Sequence, residues 1–94
     1  MAYDYLQNEL RARARELISA GRLPRQHPIR IWGGNGSGDQ TCSLCDRVIS
    51  REEVEYELEY SVDSAVRIMR FHFICHAAWQ LECAREESLN KGAP

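Results

Sequence analysis

Residues 42–75 read CSLCDRVISREEVEYELEYSVDSAVRIMRFHFIC, and this stretch decides the fold. It opens on Cys42-Ser43-Leu44-Cys45 and closes on His72-Phe73-Ile74-Cys75, two soft-ligand pairs on either side of a 26-residue gap (46–71). A C-x2-C step lets one tight turn aim two thiolates at a single cation, about 2.3 Å from each sulfur. Between the pairs, Val54, Tyr56, Leu58, Tyr60 and Val62 alternate with Glu53, Glu55, Glu57 and Glu59. That period of two predicts a half-buried antiparallel strand with an acidic outer face. Asp63-Ser64 supplies turn chemistry and Ala65 to Phe73 the return strand, on which Arg67 is close enough in register to face the glutamates, with the exact pairing left open. From about Ile74 to Glu87 the period becomes helical, with Ala78, Trp79 and Leu81 available to a core. The second pair therefore straddles a strand-to-helix junction, where the helix dipole favours the thiolate of Cys75.

Cys42, Cys45, His72 and Cys75 are thus the expected ligands of one structural Zn2+. His76 is the rival to Cys75, as the i, i+4 partner of His72, but that pairing needs helix already running at His72, where VRIMRFHF reads as strand. Cys83 is excluded by distance, because eight residues of helix rise about 12 Å and two sulfurs on one zinc lie within about 4 Å. Cys83 is expected to be a small buried hydrophobe. A closed Cys3His shell leaves no coordination position for water or substrate, which is the pattern of a structural site. It also meets a need of the chain. A domain of 94 residues has a marginal core, and zinc binding by comparable peptides contributes on the order of 10–16 kcal/mol of apparent folding energy.

Working outward, residues 1–22 read as an amphipathic helix: Leu6, Leu10, Ala14, Leu17 and Ile18 form a stripe, Gly21 is a C′ residue and Pro24 a stop. Residues 23–41, LPRQHPIRIWGGNGSGDQT, read as an irregular Pro/Gly-rich connector with a short extended stretch at Ile29–Trp32. Trp32 is expected to pack on the domain and pin it. The glycines are not a phosphate loop, since no Gly-Lys-Ser/Thr ending or helix follows them. His27 has no partner that can be named. Residues 42–87 form the finger module, and 88–94, SLNKGAP, a disordered tail. The fold class is a small α+β protein: N-terminal helix, irregular linker, then knuckle, β-hairpin and C-terminal helix.

Net charge is −2, but the halves differ: residues 1–40 carry six arginines against four acids, and residues 41–94 six basic residues against ten acids. Arg11, Arg13, Arg15, Arg22, Arg25 and Arg30 are the nucleic-acid candidates, although dedicated binders usually carry a basic net charge. No apolar run reaches the ~18 residues of a membrane span, and MAYDYLQNELRAR has no signal core, so a cytoplasmic chain is expected. Four cysteines in a reducing compartment point to metal rather than disulfides.

The order of knuckle, hairpin and ligand-bearing helix resembles a treble-clef zinc finger, and its C-x2-C…H-x2-C ligand order is similar to LIM half-sites and to the fingers of poly(ADP-ribose) polymerases. Asp46 stands where many such knuckles carry glycine. Over nearly its whole length the chain resembles a group of small, uncharacterised proteobacterial proteins, through ARELISAGRLP, WGGNGSG followed by C-x2-C, EVEYELEY and FHFICHAAWQLE. That resemblance implies a bacterial, cytoplasmic setting and no activity. The expected function is a zinc-stabilised protein-interaction or regulatory module with an unidentified protein partner. Nucleic-acid binding through the N-terminal arginines is the alternative, and a dimer through the N-terminal helix is a further expectation. A thiol enzyme, with His76 acting as base for a free Cys75, ranks last: no Ser/His/Asp set, catalytic carboxylate pair or cofactor loop emerges.

Overall fold

The computed structural model describes residues 2–25 and 28–92. In chain order the elements are α1 (Ala2–Ser19), β1 (Arg30–Asn35), β2 (Gln40–Thr41), β3 (Val48–Ile49), β4 (Val54–Val62), β5 (Ala65–His72) and α2 (Phe73–Gly92). His27 lies outside the described residues. Among the described residues no helix is long and apolar enough to cross a membrane.

The acidic alternation of residues 53–62 becomes β4, the central strand of a sheet ordered β1-β4-β5 with both neighbours antiparallel. A two-residue turn joins β4 to β5, with Asp63 and Ser64 both at positive φ (50° and 68°), as a type I′ hairpin demands. That turn sets Val62 against Ala65, so Glu57 meets Arg70 and Tyr60 meets Arg67. The register left open for Arg67 thus sets it against Tyr60, and it is Arg70 that faces the glutamates, with its Nε 3.7 Å from Glu55 and 3.6 Å from Glu57.

The inner face of the sheet carries Leu58, Tyr60 and Phe71, packed on Ala78 and Trp79 of α2. Phe71 stacks on Trp79 at 5.7 Å between ring centroids. Helix α1 lays its stripe on the same core through Leu10, Ala14 and Ile18. It ends in a Schellman motif, in which the N–H of Arg22 donates to the Leu17 carbonyl and that of Gly21 (φ 75°) to Ile18.

Three expectations are corrected. Part of the connector is strand: Arg30–Asn35 pair with β4 despite two glycines. Gly33 permits this, because a Cβ there would meet the Tyr56 ring at 3.3 Å. Trp32 does not pin the connector, since it is 45% exposed; the Trp79 indole does so by donating to the Pro24 carbonyl at 3.0 Å. Finally, α2 continues to Gly92, so the stretch read as a tail from Ser88 is helical through residue 92. Ser-Leu-Asn-Lys contains nothing that breaks a helix.

Candidate metal centre

The first ligand pair is made by a short hairpin. Strands β2 and β3 pair Gln40 with Ile49 and Thr41 with Val48, and the turn between them holds Cys42 and Cys45. The N–H of Cys42 donates to the Arg47 carbonyl at 2.9 Å, and that of Asp46 to the Cys42 carbonyl at 3.0 Å. Closing the turn requires a left-handed residue after the second cysteine, and Asp46 takes that conformation at φ 65°. The knuckle is tied to the sheet at Ser43, whose N–H donates to the Arg70 carbonyl at 2.7 Å and whose Oγ accepts from Arg70 N–H at 3.3 Å. At Gly36 the chain passes so close to Ser50 that a Cβ would sit 2.3 Å from its carbonyl oxygen. Only glycine fits there.

The second pair comes from the junction of β5 and α2. His72 is the last residue of the strand, and Cys75 lies in the first turn of the helix. One ligand atom from each of Cys42, Cys45, His72 and Cys75 lies within 4.8 Å of all the others. His72 Nδ1 stands 3.3 Å from Cys45 Sγ and 3.9 Å from Cys75 Sγ. These spacings bracket the roughly 3.6–3.8 Å edge of a tetrahedron with Zn–S and Zn–N bonds of about 2.3 and 2.1 Å. Cys42 and Cys75 are buried.

The three thiols hold their protons unequally. Donation from the Cys75 thiol, helped by backbone N–H groups of Cys45, His72 and Leu44, outweighs burial and pulls the Cys42 thiol well below its ordinary value. Cys75 is pushed up, because its proton is held by Cys42 and because it is buried. Cys45 is also pushed up, by burial first. Three clustered sulfurs without a cation therefore bear charge unequally, and a divalent ion lets all of them ionise.

Outer groups orient the ligands. His72 Nε2 faces Glu53 Oε1 at 3.5 Å, the carboxylate–histidine arrangement that presents the other ring nitrogen to a metal. Glu53 is itself held by the Ser50 N–H at 3.0 Å. From α1, Arg13 donates through Nε to the Leu44 carbonyl inside the knuckle and through Nη2 to Asp46 at 2.8 Å. A cavity of about 480 Å³, walled in part by Leu10, Val48 and Ile74, opens beside Cys45 and His72 and offers an ion a way in.

The rivals lie elsewhere. His76 is stacked on Tyr56 at 4.6 Å, and burial lowers its pKa. Cys83 points its thiol at the Pro24 carbonyl, 3.6 Å away, and its burial raises the pKa to about 11. The six candidate arginines do not form one free basic face. Arg11 and Arg15 bind the fully buried Glu82 at 2.7 and 3.0 Å, Arg25 lies 3.8 Å from Glu86, and Arg30 lies 4.0 Å from Glu59. Among the described residues only Arg22 of the six has no acidic partner. Sequence reasoning missed Glu82 and the roles of Glu53 beside His72 and of Arg13 at the knuckle. Only Glu82 had any signal, in the arginines at i and i+4 (Arg11 and Arg15) that flank the apolar stripe of α1 and can share one anion.

No family model, curated protein or solved structure matches the chain.

Proposed function

We propose that the protein is a small zinc-stabilised module that works by binding another protein and does no chemistry of its own. The observation that carries this reading is the set of three cysteines and one histidine, three of the four buried, whose ligand atoms lie within 4.8 Å of one another. Thiolate-rich donor sets of this kind select zinc among the common divalent ions, and four protein donors leave no position for a substrate. The order of knuckle, hairpin and helix fits a treble-clef finger, with α1 clamped over the knuckle by Arg13. Four free cysteines suit a reducing compartment such as the cytoplasm. Two observations favour a protein partner over nucleic acid: most of the N-terminal arginines are engaged with carboxylates, and Ile29, Ile31 and Trp32 are exposed along an outer strand.

Native mass spectrometry with and without chelator tests the reading. One zinc per chain is expected, together with loss of the fold over residues 40–87 when the metal is removed. A metal-free chain that keeps its near-ultraviolet dichroism and its melting temperature sinks it.

A further inference from the structure

The outer face of the sheet, away from the core, holds a feature that neither the zinc site nor the packing uses. Glu55 is 8% exposed, yet its Oε1 has no hydrogen-bond partner. The Arg70 Nε beside it has no hydrogen-bond partner either, so the buried carboxylate shares an arginine that does not satisfy it, and such an orphan is expensive in a folded chain. Arg70 reaches Glu55 and Glu57 only at 3.7 and 3.6 Å, longer than hydrogen bonds, and Glu59 is already beside Arg30.

Register explains why the space is open. Gly34 lies directly across from Glu55, where a cross-strand side chain would ordinarily cover the carboxylate. A Cβ built on Gly34 meets nothing within 4 Å. The next residue on that face, Trp32, lies across from Glu57 and is 45% exposed. Together Trp32, Gly34, Glu55 and Glu57 line a hollow of about 180 Å³. That is smaller than the several hundred Å³ of a drug-sized site and suits the end of one side chain. Its chemistry is specific: an aromatic face beside two carboxylates attracts a planar cation, which can stack on the indole and donate to both acids. Burial, and then the neighbouring Glu57, pushes the Glu55 carboxyl above its usual range, as expected where two acids crowd a site with too little positive charge.

We propose that this hollow is the seat for an arginine side chain of a protein partner, the guanidinium stacking on Trp32 and bonding to Glu55 and Glu57. The site deepens the protein-binding reading above and rests on it.

The test uses the full zinc-loaded chain and a tetra-arginine peptide, with affinity read by calorimetry and Trp32 reported by its fluorescence. Trp32 is the exposed tryptophan, and Trp79 is buried. Saturable binding with a change in Trp32 emission is expected, and tetra-lysine should bind more weakly. Two variants probe the seat independently. Glu55→Gln removes the charge, and Gly34→Val fills the open space at a position where a Cβ meets nothing within 4 Å. Each is expected to weaken binding about tenfold, as loss of a charge-assisted bond or a stacked contact does. Glu52→Gln, the same charge change at an exposed position outside the hollow, should leave it within about twofold. Equal affinity in all variants, equal binding of tetra-lysine, displacement of the peptide by millimolar Ca2+, or quenching of Trp32 by self-association alone would each overturn the proposal. Zinc content and chelator-induced unfolding are measured on the same samples. Loss of peptide binding in an intact zinc fold sinks the arginine seat alone, whereas a fold indifferent to zinc sinks the module.

Discussion

At the scale of the residue, Asp46 shows how a local rule was broken and then compensated. The knuckle needs a left-handed residue after Cys45, and any residue with a Cβ is strained there by about 1 kcal/mol. Asp46 adopts the conformation at φ 65° and receives a hydrogen bond from Arg13. That pair is largely exposed, so it contributes only a few tenths of a kcal/mol. Asp46→Gly should therefore stabilise the zinc-loaded protein by roughly 0.5–1 kcal/mol in urea melts; a loss of stability would show that the pair with Arg13 outweighs the strain. Glu53 stands one step outside the Cys/His cluster, against His72. Its carboxylate is half exposed, so Glu53→Gln is expected to cost no more than about tenfold in zinc affinity, at the low end for an outer-shell partner. Competition with a chromophoric chelator would measure it, with the stoichiometry staying at one. The cluster of Cys42, Cys45, His72 and Cys75 was legible because pair spacing is a local property. Glu53 was not, because its role depends on the tautomer and tilt of a ring 19 positions away (72 − 53).

At the scale of the element, the hairpin and the two helices were readable as periodicities, whereas β1 (Arg30–Asn35) was readable only in its first half, as the extended stretch Ile29–Trp32. Two adjacent glycines argue against strand on composition, but β4 supplies the ladder and Gly33 admits the Tyr56 ring. The register of β5 was within reach once Asp63-Ser64 is taken as a two-residue turn: 62 meets 65, so 57 must meet 70. The contact between α1 and α2 contains a feature that amphipathic patterning cannot show, the buried carboxylate of Glu82 under Arg11 and Arg15. Burial alone would raise its pKa, but hydrogen bonds from Arg15 and Arg11 overcome this, so the folded value lies below the unfolded one. The sign follows from linkage. This contribution is fully present above the unfolded pKa and is lost as pH falls through the folded value. Glu82→Gln should thus destabilise the protein at neutral pH, by about 2–3 kcal/mol if half-exposed arginines soften the usual loss. It should also flatten the fall in stability below pH about 4.5. Urea melts at pH 7 and pH 3.5 would check both, and a fall as steep as wild type would show that Glu82 is not the titrating group.

At the scale of the whole molecule, the chain measures 46 × 42 × 20 Å and combines two helices with a three-stranded sheet and a two-stranded hairpin. Sequence segments suggested a finger with an appended helix, but side-chain contacts join them. Helix α1 contributes Leu10, Ala14 and Ile18 to the common core, and Arg13 reaches into the knuckle. Removing residues 1–22 should consequently weaken zinc binding by an order of magnitude or more, since burial of a Leu and an Ile alone is worth roughly 3–5 kcal/mol. Calorimetric titration of zinc into the truncated and full chains would measure the difference. Equal affinities would mean that the finger is self-sufficient. Composition could not reveal this dependence, because it resides in which face of α1 meets which loop.

The direct passage from β5 into α2, with no residue between His72 and Phe73, has a bearing on how the gene can change. Lengthening the Asp63-Ser64 turn would disturb one register. One codon inserted after position 72 would turn the following helix by about 100° and advance it 1.5 Å. Cys75 would leave the cluster, and Ala78 and Trp79 would leave the sheet, all in one step. Descendants of this chain can therefore drift in length at its loops, while that single peptide bond stays closed to insertion.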